Sequence, residues 1–151
     1  MNAPSPESAS SLGILLRQVR DALWARMAHE LSRLGHDLTF SQYITLKKLA
    51  AGTRGVTELA RAADLNPGAM TRLLDRLEEK GLVVRTADAS DRRALNIEFT
   101  EAGNAIWKDI HRCGKRVLGI AMDGMDQDER DQLHRLLTQV RDNLSLPEST
   151  R

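Results

Sequence analysis

Hydrophobic residues recur at steps of three and four positions near the start of the chain, which is the spacing of one face of an α-helix. The positions are Leu12, Leu15, Leu16, Val19, Leu23, Met27, Leu31 and Leu34. This pattern predicts a helix from Leu12 that ends near Gly35, a residue type suited to a helix C-terminus. A second helix is predicted from Thr39 to about Ala51, because Thr39 can cap the N-terminus while Gln42 reaches back.

The middle of the chain predicts two short helices joined by a tight turn. The first is expected over Thr57–Ala63, with the threonine as its N-cap and Glu58 near the positive end of the helix dipole. The second is expected over Pro67–Lys80, with Asn66 as its cap and Gly81 as its end. The predicted buried face of this second helix consists of Met70, Leu73, Leu74 and Leu77.

Two apolar, strand-like runs follow at residues 82–86 and 94–99, joined by the polar residues 87–93. Two further helices are expected, one capped by Thr100 and one started by a capping box of Asp126 and Glu129. A helix-turn-helix followed by a hairpin is the order of a winged helix-turn-helix, which puts one helix in a DNA major groove. The predicted fold class is therefore mainly α with a small β-wing, flanked by N- and C-terminal dimerisation helices.

The length of 151 residues favours one domain. We expect a disordered tail at 1–11, a single domain at 12–145, and a second tail at 146–151. Within that domain the winged helix-turn-helix spans about 39–100, and the dimerisation helices span about 12–35 and 100–145. The apolar stripes of the flanking helices are too extensive for a small winged-helix core to cover, so packing against a second copy would bury them. Packing on each other within one chain is the alternative.

Composition narrows the class of protein. The chain is 41% hydrophobic and 28% charged, as in globular proteins, and only 3% aromatic, which favours an aliphatic core. No apolar run approaches the ~20 residues that cross a bilayer, and the N-terminus is not that of a signal peptide. Cys113 is the single cysteine and cannot form an internal disulfide, which agrees with a cytoplasmic location. The net charge of +1 means that nucleic-acid binding would depend on locally placed arginines.

The exposed face at the start of the second short helix carries small and polar residues, as a helix that enters a major groove requires. Arg72 is a candidate for bidentate contact with guanine, and Thr71 for contact with a base or a phosphate. Arg76 lies one turn further along and is a candidate for contact with phosphate. The alternative is that both arginines pair with Asp75 and Glu79 on a solvated face.

The tip of the predicted hairpin carries Arg92 and Arg93, and an arginine on a narrow β-tip can enter a minor groove. Arg85 and Arg93 lie near the base of the hairpin, where one of them could be tied by Asp88 or Asp91. The candidate DNA-binding residues are therefore Asn66, Gly68, Ala69, Thr71, Arg72, Arg76, Arg92 and Arg93.

Over Leu12–Leu144 the chain resembles the MarR family of winged-helix transcriptional regulators. The segments that carry the resemblance are Leu38–Tyr43, Thr57–Ala60, Met70–Val83, Asp88–Arg93 and Phe99–Gly103. The resemblance implies a homodimer that recognises a pseudo-palindromic operator in double-stranded DNA, usually to repress nearby genes. One departure concerns the wing, where the family often has arginine and this chain has Ser90. The role of tip arginine is then expected to pass to Arg92.

The resemblance also suggests regulation by a small ligand, often a phenolic or aromatic acid. The residues on the helices around the family's ligand pocket are here Trp24, His29, His36, Tyr43, His111 and Arg112. An aromatic acid needs apolar walls and a cationic or imidazole donor, which this set supplies. The alternative is that the aromatic residues only pack and the histidines lie on the surface.

Other chemistry has little support in the sequence. The four histidines lack the close spacing of metal ligands, and no metal or other cofactor is expected. The chain has neither a phosphate-binding loop nor a nucleophile elbow, so an enzyme is not expected. Cys113 falls on an apolar stripe, which favours a buried, inert thiol over a redox sensor. The alternative function is a winged-helix protein–protein interaction module without sequence-specific DNA binding.

Overall fold

The computed structural model describes residues 6–146, with side chains from Ser11 onward. Within this range it has six helices and one two-stranded sheet. The helices are α1 (Pro6–Arg33), α2 (Phe40–Ala50), α3 (Val56–Ala62), α4 (Pro67–Glu79), α5 (Glu101–Ala121) and α6 (Gln127–Leu144). The strands are β1 (Val83–Ala87) and β2 (Leu95–Phe99). The predicted architecture, mainly α with a small β-wing, is confirmed.

Helix α1 begins at Pro6 rather than at Leu12, so the predicted N-terminal tail does not extend through residues 6–11. Proline is well tolerated at the first helical position, because the N–H that it lacks would have no partner there. Residues 1–5 of the predicted tail lie outside the described residues, as do residues 147–151 of the C-terminal tail.

The predicted cap of α2 is confirmed, whereas the predicted cap of α3 is wrong. The Gln42 N–H donates to Thr39 Oγ1 at 3.2 Å, and the Thr39 N–H donates to Gln42 Oε1 at 3.1 Å. Helix α3 is capped by Gly55, not by Thr57, and its N-terminus has no side-chain cap. The reason is tertiary, since Gly55 also bridges Asn96 of β2 and is thereby held in extended backbone before the helix.

The two strands pair antiparallel, with Val83 opposite Phe99 and Ala87 opposite Leu95. The N–H of Ile97 in β2 donates to the carbonyl of Arg54 at 3.0 Å, which attaches the hairpin to the segment before α3. We call residues 83–99 the wing. It is thus held to the helix-turn-helix through this backbone contact as well as through the turn that follows α4.

The core of the winged helix lies between α2, α3, α4 and β2. Its most deeply buried side chains, all less than 2% exposed, include Leu46, Leu59, Met70, Leu74, Leu77 and Ile97. The predicted inner face of α4 is confirmed, because Met70, Leu73, Leu74 and Leu77 are all buried. Burying a side chain of this size contributes roughly 1.5–3 kcal/mol. This face therefore fixes which side of α4 points outward.

Helix α5 begins against the turn between α4 and β1. The Gly103 N–H donates to Thr100 Oγ1 at 3.0 Å, which confirms Thr100 as the cap, and the threonine hydroxyl in turn donates to the Gly81 carbonyl. Gly103 lies so close to this turn that an added Cβ would collide with the Leu82 carbonyl oxygen and the Phe99 ring. Glycine is therefore required at this position by close approach.

The chain up to Val117 forms one compact unit, and the chain from Leu118 onward forms a second. The single domain predicted at 12–145 thus comprises two compact units, with the boundary inside α5. In the second unit, the predicted capping box of Asp126 and Glu129 is confirmed, with N–H to carboxylate distances of 2.9 and 3.0 Å. No helix in the described part of the chain is both long and apolar enough to span a membrane.

Candidate nucleic-acid interface

The turn between α3 and α4 is built from local backbone and cap interactions. Asp64 adopts a left-handed conformation, with φ of 52°, and the Leu65 N–H donates to the Ala60 carbonyl at 2.9 Å. The side chain of Asn66 then accepts the Ala69 N–H at 2.8 Å, as predicted for the cap of α4. Asparagine satisfies an N–H that would otherwise lack a partner at the start of the helix. The turn therefore sets where α4 begins.

The outer face of α4 carries most of the predicted DNA-binding residues. Asn66, Gly68, Thr71, Arg72 and Arg76 are exposed, and Ala69 is half-buried. The Thr71 hydroxyl donates to the Pro67 carbonyl at 2.9 Å, which leaves its oxygen available as an acceptor. A Cβ at Gly68 would meet Asn66 Oδ1 at 3.5 Å, an ordinary contact, so the fold does not require glycine there. The missing side chain leaves the start of α4 accessible to a closely approaching partner.

Arg72 and Arg76 form no ion pair with any described residue. The alternative pairing of these arginines with Asp75 and Glu79 is therefore not formed in this structure. Asp75 instead accepts a hydrogen bond from Arg85 of β1 at 2.7 Å. Two guanidinium groups on the exposed side of α4 thus remain free to bind an anion.

Arg85 and Arg93, of which one could be tied by Asp88 or Asp91, have different partners. Asp91 accepts the backbone N–H of Arg93 at 2.9 Å, whereas the Arg85 side chain contacts α4, pairing with Asp75 and Glu78. A sequence pattern that could have indicated this is the pair of acids three positions apart on the polar face of α4, followed closely by an arginine on the next strand.

The tip of the wing is organised by its two aspartates, which accept hydrogen bonds from backbone N–H groups and from the Ser90 hydroxyl. Asp88 Oδ1 accepts the N–H and the hydroxyl of Ser90, both at 2.8 Å, and Asp91 accepts the Arg93 N–H at 2.9 Å. The hydrogen bonds from Ser90 hold the pKa of Asp88 below its ordinary value. The guanidinium groups of Arg92 and Arg93 are exposed and form no ion pair within the described residues. The tip therefore presents two guanidinium groups without ion pairs, next to a loop that is held by hydrogen bonds.

Comparison with known proteins agrees with this geometry. The model of the MarR family matches residues 38–95. The apo form of MarR from E. coli is 30% identical, with a TM-score of 0.71, over 85% of this chain and 96% of that chain. The chain belongs to the MarR family. A mutant of E. coli MarR complexed with operator DNA is 28% identical, with a TM-score of 0.75, over 91% of this chain and 99% of that chain.

Two further solved structures extend the MarR comparison. The transcriptional regulator PA3341 is 32% identical, with a TM-score of 0.77, over 88% of this chain and 97% of that chain. BpsR from Bordetella bronchiseptica, whose DNA binding is regulated by 6-hydroxynicotinic acid, is 21% identical, with a TM-score of 0.71, over 86% of this chain and 92% of that chain. At that identity, the likeness to BpsR concerns the fold alone.

The residues predicted for a MarR-type ligand pocket form several separate contacts and do not gather in one cluster. Trp24 and Tyr43 pack together, with ring centroids 5.4 Å apart, and Phe40 joins them. His36 Nε2 lies 2.8 Å from Asp109 Oδ2, and an oxygen of the same carboxylate lies 3.8 Å from Arg112 Nη1. His111 lies beside Trp107, with centroids 6.3 Å apart. His29 is exposed and has no partner within the described residues.

A surface cavity of about 460 Å³ lies between the C-terminal part of α1 and α5 of this MarR-family chain. It is lined by Glu30, Arg33, Leu34, Arg112, Cys113 and Arg116, so that Arg112 is its only member from the predicted ligand set. Glu30 was not among the residues predicted to bind a ligand. Its side chain is buried and pairs with Arg116 at 3.3 Å and with Arg26 at 3.6 Å. Cys113 is buried, as predicted, and burial, followed by the charges of Glu30 and Asp109, raises the pKa of its thiol.

Proposed function

We propose that this MarR-family protein is a cytoplasmic homodimer that binds a pseudo-palindromic operator, represses transcription there, and is released by a small ligand. The observation that carries the DNA-binding part is the free state of Arg72 and Arg76 on the exposed face of α4. Because neither arginine forms an ion pair, none has to be broken when its guanidinium binds phosphate or guanine. Binding to DNA therefore carries no such cost. The solved complex of E. coli MarR with operator DNA supports the same assignment.

Exposed apolar side chains support the homodimer. The outward face of the first half of α1 carries Leu12, Leu15, Leu16 and Val19, which are between 38% and 54% exposed. A contiguous apolar face of this kind is typical of a protein interface. A two-fold symmetric dimer would present two α4 helices to half-sites one helical turn apart, roughly 34–36 Å. The symmetry of the dimer would then match that of a palindromic operator.

The cavity between α1 and α5 supports the proposal that a small ligand regulates the protein. The cavity lining carries three arginines, Arg33, Arg112 and Arg116, against the single carboxylate of Glu30, so it is positive overall, while Leu34 and Cys113 add apolar surface. A small aromatic acid would meet cationic and apolar groups together in such a cavity.

In vitro selection of random duplex DNA at near-physiological salt tests the proposed function. We expect enrichment of an inverted repeat with half-sites about one helical turn apart. Arg72→Ala should weaken binding to the selected duplex by about 1–3 kcal/mol and relax the preference at one base pair of each half-site. The matched control is Arg141→Ala, which removes an exposed arginine whose one ion-pair partner among the described residues is its neighbour Asp142. It should leave binding unchanged.

The interaction-module alternative predicts the opposite results. It predicts only salt-sensitive, sequence-independent binding, because phosphate attraction alone does not select a sequence. It also predicts that Arg72→Ala and Arg141→Ala behave alike on every duplex. Repeating the selection with refolded protein excludes the effect of a co-purified ligand.

A further inference from the structure

Arg85 joins the wing to the recognition helix. From β1 its guanidinium donates to Asp75 Oδ1 at 2.7 Å and lies 3.2 Å from Glu78 Oε2. A weaker contact of 3.4 Å reaches the carbonyl of Thr71. All three partners lie on α4, within two turns of each other, so one side chain spans the helix surface beside Arg72.

This contact is partly shielded from solvent. The Arg85 side chain is 26% exposed, whereas those of Asp75 and Glu78 are 49% and 45% exposed. The planar guanidinium has donors in a fixed fork, so binding two carboxylates restrains its direction as well as its distance. Between α4 and β1 the chain otherwise turns through Gly81, whose φ of 72° is freely available to glycine. The ion pairs therefore add a side-chain restraint between the wing and α4 to the backbone contact between Ile97 and Arg54.

We propose that Arg85 is a positioning residue for DNA binding. It holds the wing at one orientation to α4, so that Arg72 and the tip arginines meet the same duplex together. Its positive charge also offsets one of the two negative charges of Asp75 and Glu78, which repel phosphate from the helix surface. This inference rests on the proposed function, since it concerns how the two contact elements are presented to DNA.

Three variants of the full-length protein test the inference on the selected duplex. Arg85→Met removes the ion pairs, and Arg85→Lys keeps the charge but loses the fork. Arg141→Met is the matched control, because exposed Arg141 pairs with its neighbour Asp142 at 2.7 Å on α6 and contacts neither α4 nor the wing among the described residues. We expect Arg85→Met to bind about ten-fold more weakly, Arg85→Lys to lie between it and the wild type, and Arg141→Met to bind normally.

A hydroxyl-radical footprint separates positioning from a general loss of affinity. Compared at equal occupancy, Arg85→Met should lose protection at the outer positions contacted by the wing and keep it at the positions contacted by α4. In the DNA-free protein, amide hydrogens of residues 88–94 should exchange faster in Arg85→Met but not in Arg141→Met.

A combined variant distinguishes positioning from neutralisation alone. In Arg85→Met/Asp75→Asn/Glu78→Gln the carboxylates are removed together with the arginine, so no charge is left unpaired. Positioning predicts that the outer footprint stays lost; full restoration of affinity and footprint would overturn it. Wild-type affinity and footprint in Arg85→Met would overturn the inference while leaving the proposed function intact. A wild-type protein that selects no duplex would overturn both.

Discussion

Two glycines of α5 should respond in opposite directions to the same substitution. In Gly103→Ala the added methyl group would collide with the carbonyl oxygen of Leu82, which is backbone, and with the Phe99 ring. In Gly114→Ala the methyl group would meet no atom within 4 Å. The intrinsic helical preference for alanine is the same at both positions, so the difference between the variants measures the close approach.

The magnitude follows from three contributions. Alanine in place of glycine inside a helix stabilises by about 1 kcal/mol. Forcing a methyl group into a packed contact costs about 1–3 kcal/mol. The Leu82 carbonyl also accepts the Thr100 N–H at 3.1 Å, so moving it aside weakens a hydrogen bond worth about 1 kcal/mol. Gly103→Ala should therefore lose about 1–3 kcal/mol, whereas Gly114→Ala should gain about 1 kcal/mol.

Urea unfolding of both variants and the wild type, at one fixed protein concentration, measures these changes as midpoint shifts at constant slope. Because Leu82 leads directly into β1, Gly103→Ala should also weaken binding to the selected duplex. A stability of Gly103→Ala equal to that of Gly114→Ala would refute the reasoning. It would mean that the turn yields to α5 without loss.

Two further predictions concern the contact between α1 and α5. Within the described part of the chain, Arg116→Met leaves the buried Glu30 carboxylate with Arg26 at 3.6 Å as its one ion-pair partner. It should destabilise by about 1–2 kcal/mol, less than for a fully buried pair because Arg116 itself is 67% exposed. Arg20→Met, which breaks an exposed pair with Asp21, should change little, and equal unfolding midpoints for the two variants would contradict this account. Cys113 should react with iodoacetamide at neutral pH far more slowly in the folded protein than in urea, because the raised pKa of its thiol keeps it protonated. Since the fold disfavours the thiolate, the stability of the wild type relative to Cys113→Ala should fall as pH rises above the ordinary thiol pKa, and a native alkylation rate equal to that in urea would disprove burial.

Local interactions made much of the fold predictable from the sequence. The caps at Thr39, Asn66 and Asp126 depend on residues three positions away, so their patterns are visible along the chain. The cap of α3 was mispredicted because the Gly55 backbone is held by Asn96, a residue distant in sequence. The cap position of α3 is thus set by the pairing of Gly55 with the hairpin, and the sequence around α3 carries no pattern that indicates this pairing.

The sequence predicted the part of the candidate site that lies on α4, but not the contacts between α4 and the wing. The outward position of Arg72 follows from the spacing of the buried leucines of α4, whereas the pairing of Arg85 with Asp75 depends on how the wing folds back. Glu30 shows the same limit. It lies between apolar positions on α1, but its burial depends on Arg116 of α5, far away in the sequence. Long-range pairs of this kind are set by tertiary packing.

The two sides of α4 have separate constraints, and this has a consequence for how such a protein can diversify. Met70, Leu73, Leu74 and Leu77 face the core, whereas Gly68, Arg72 and Arg76 point outward without supporting it. Surface substitutions away from packed or bonded groups usually change stability by less than about 0.5 kcal/mol. The outward positions can therefore vary almost independently of folding, so that gene duplicates could acquire new targets through few steps without passing through unfolded intermediates.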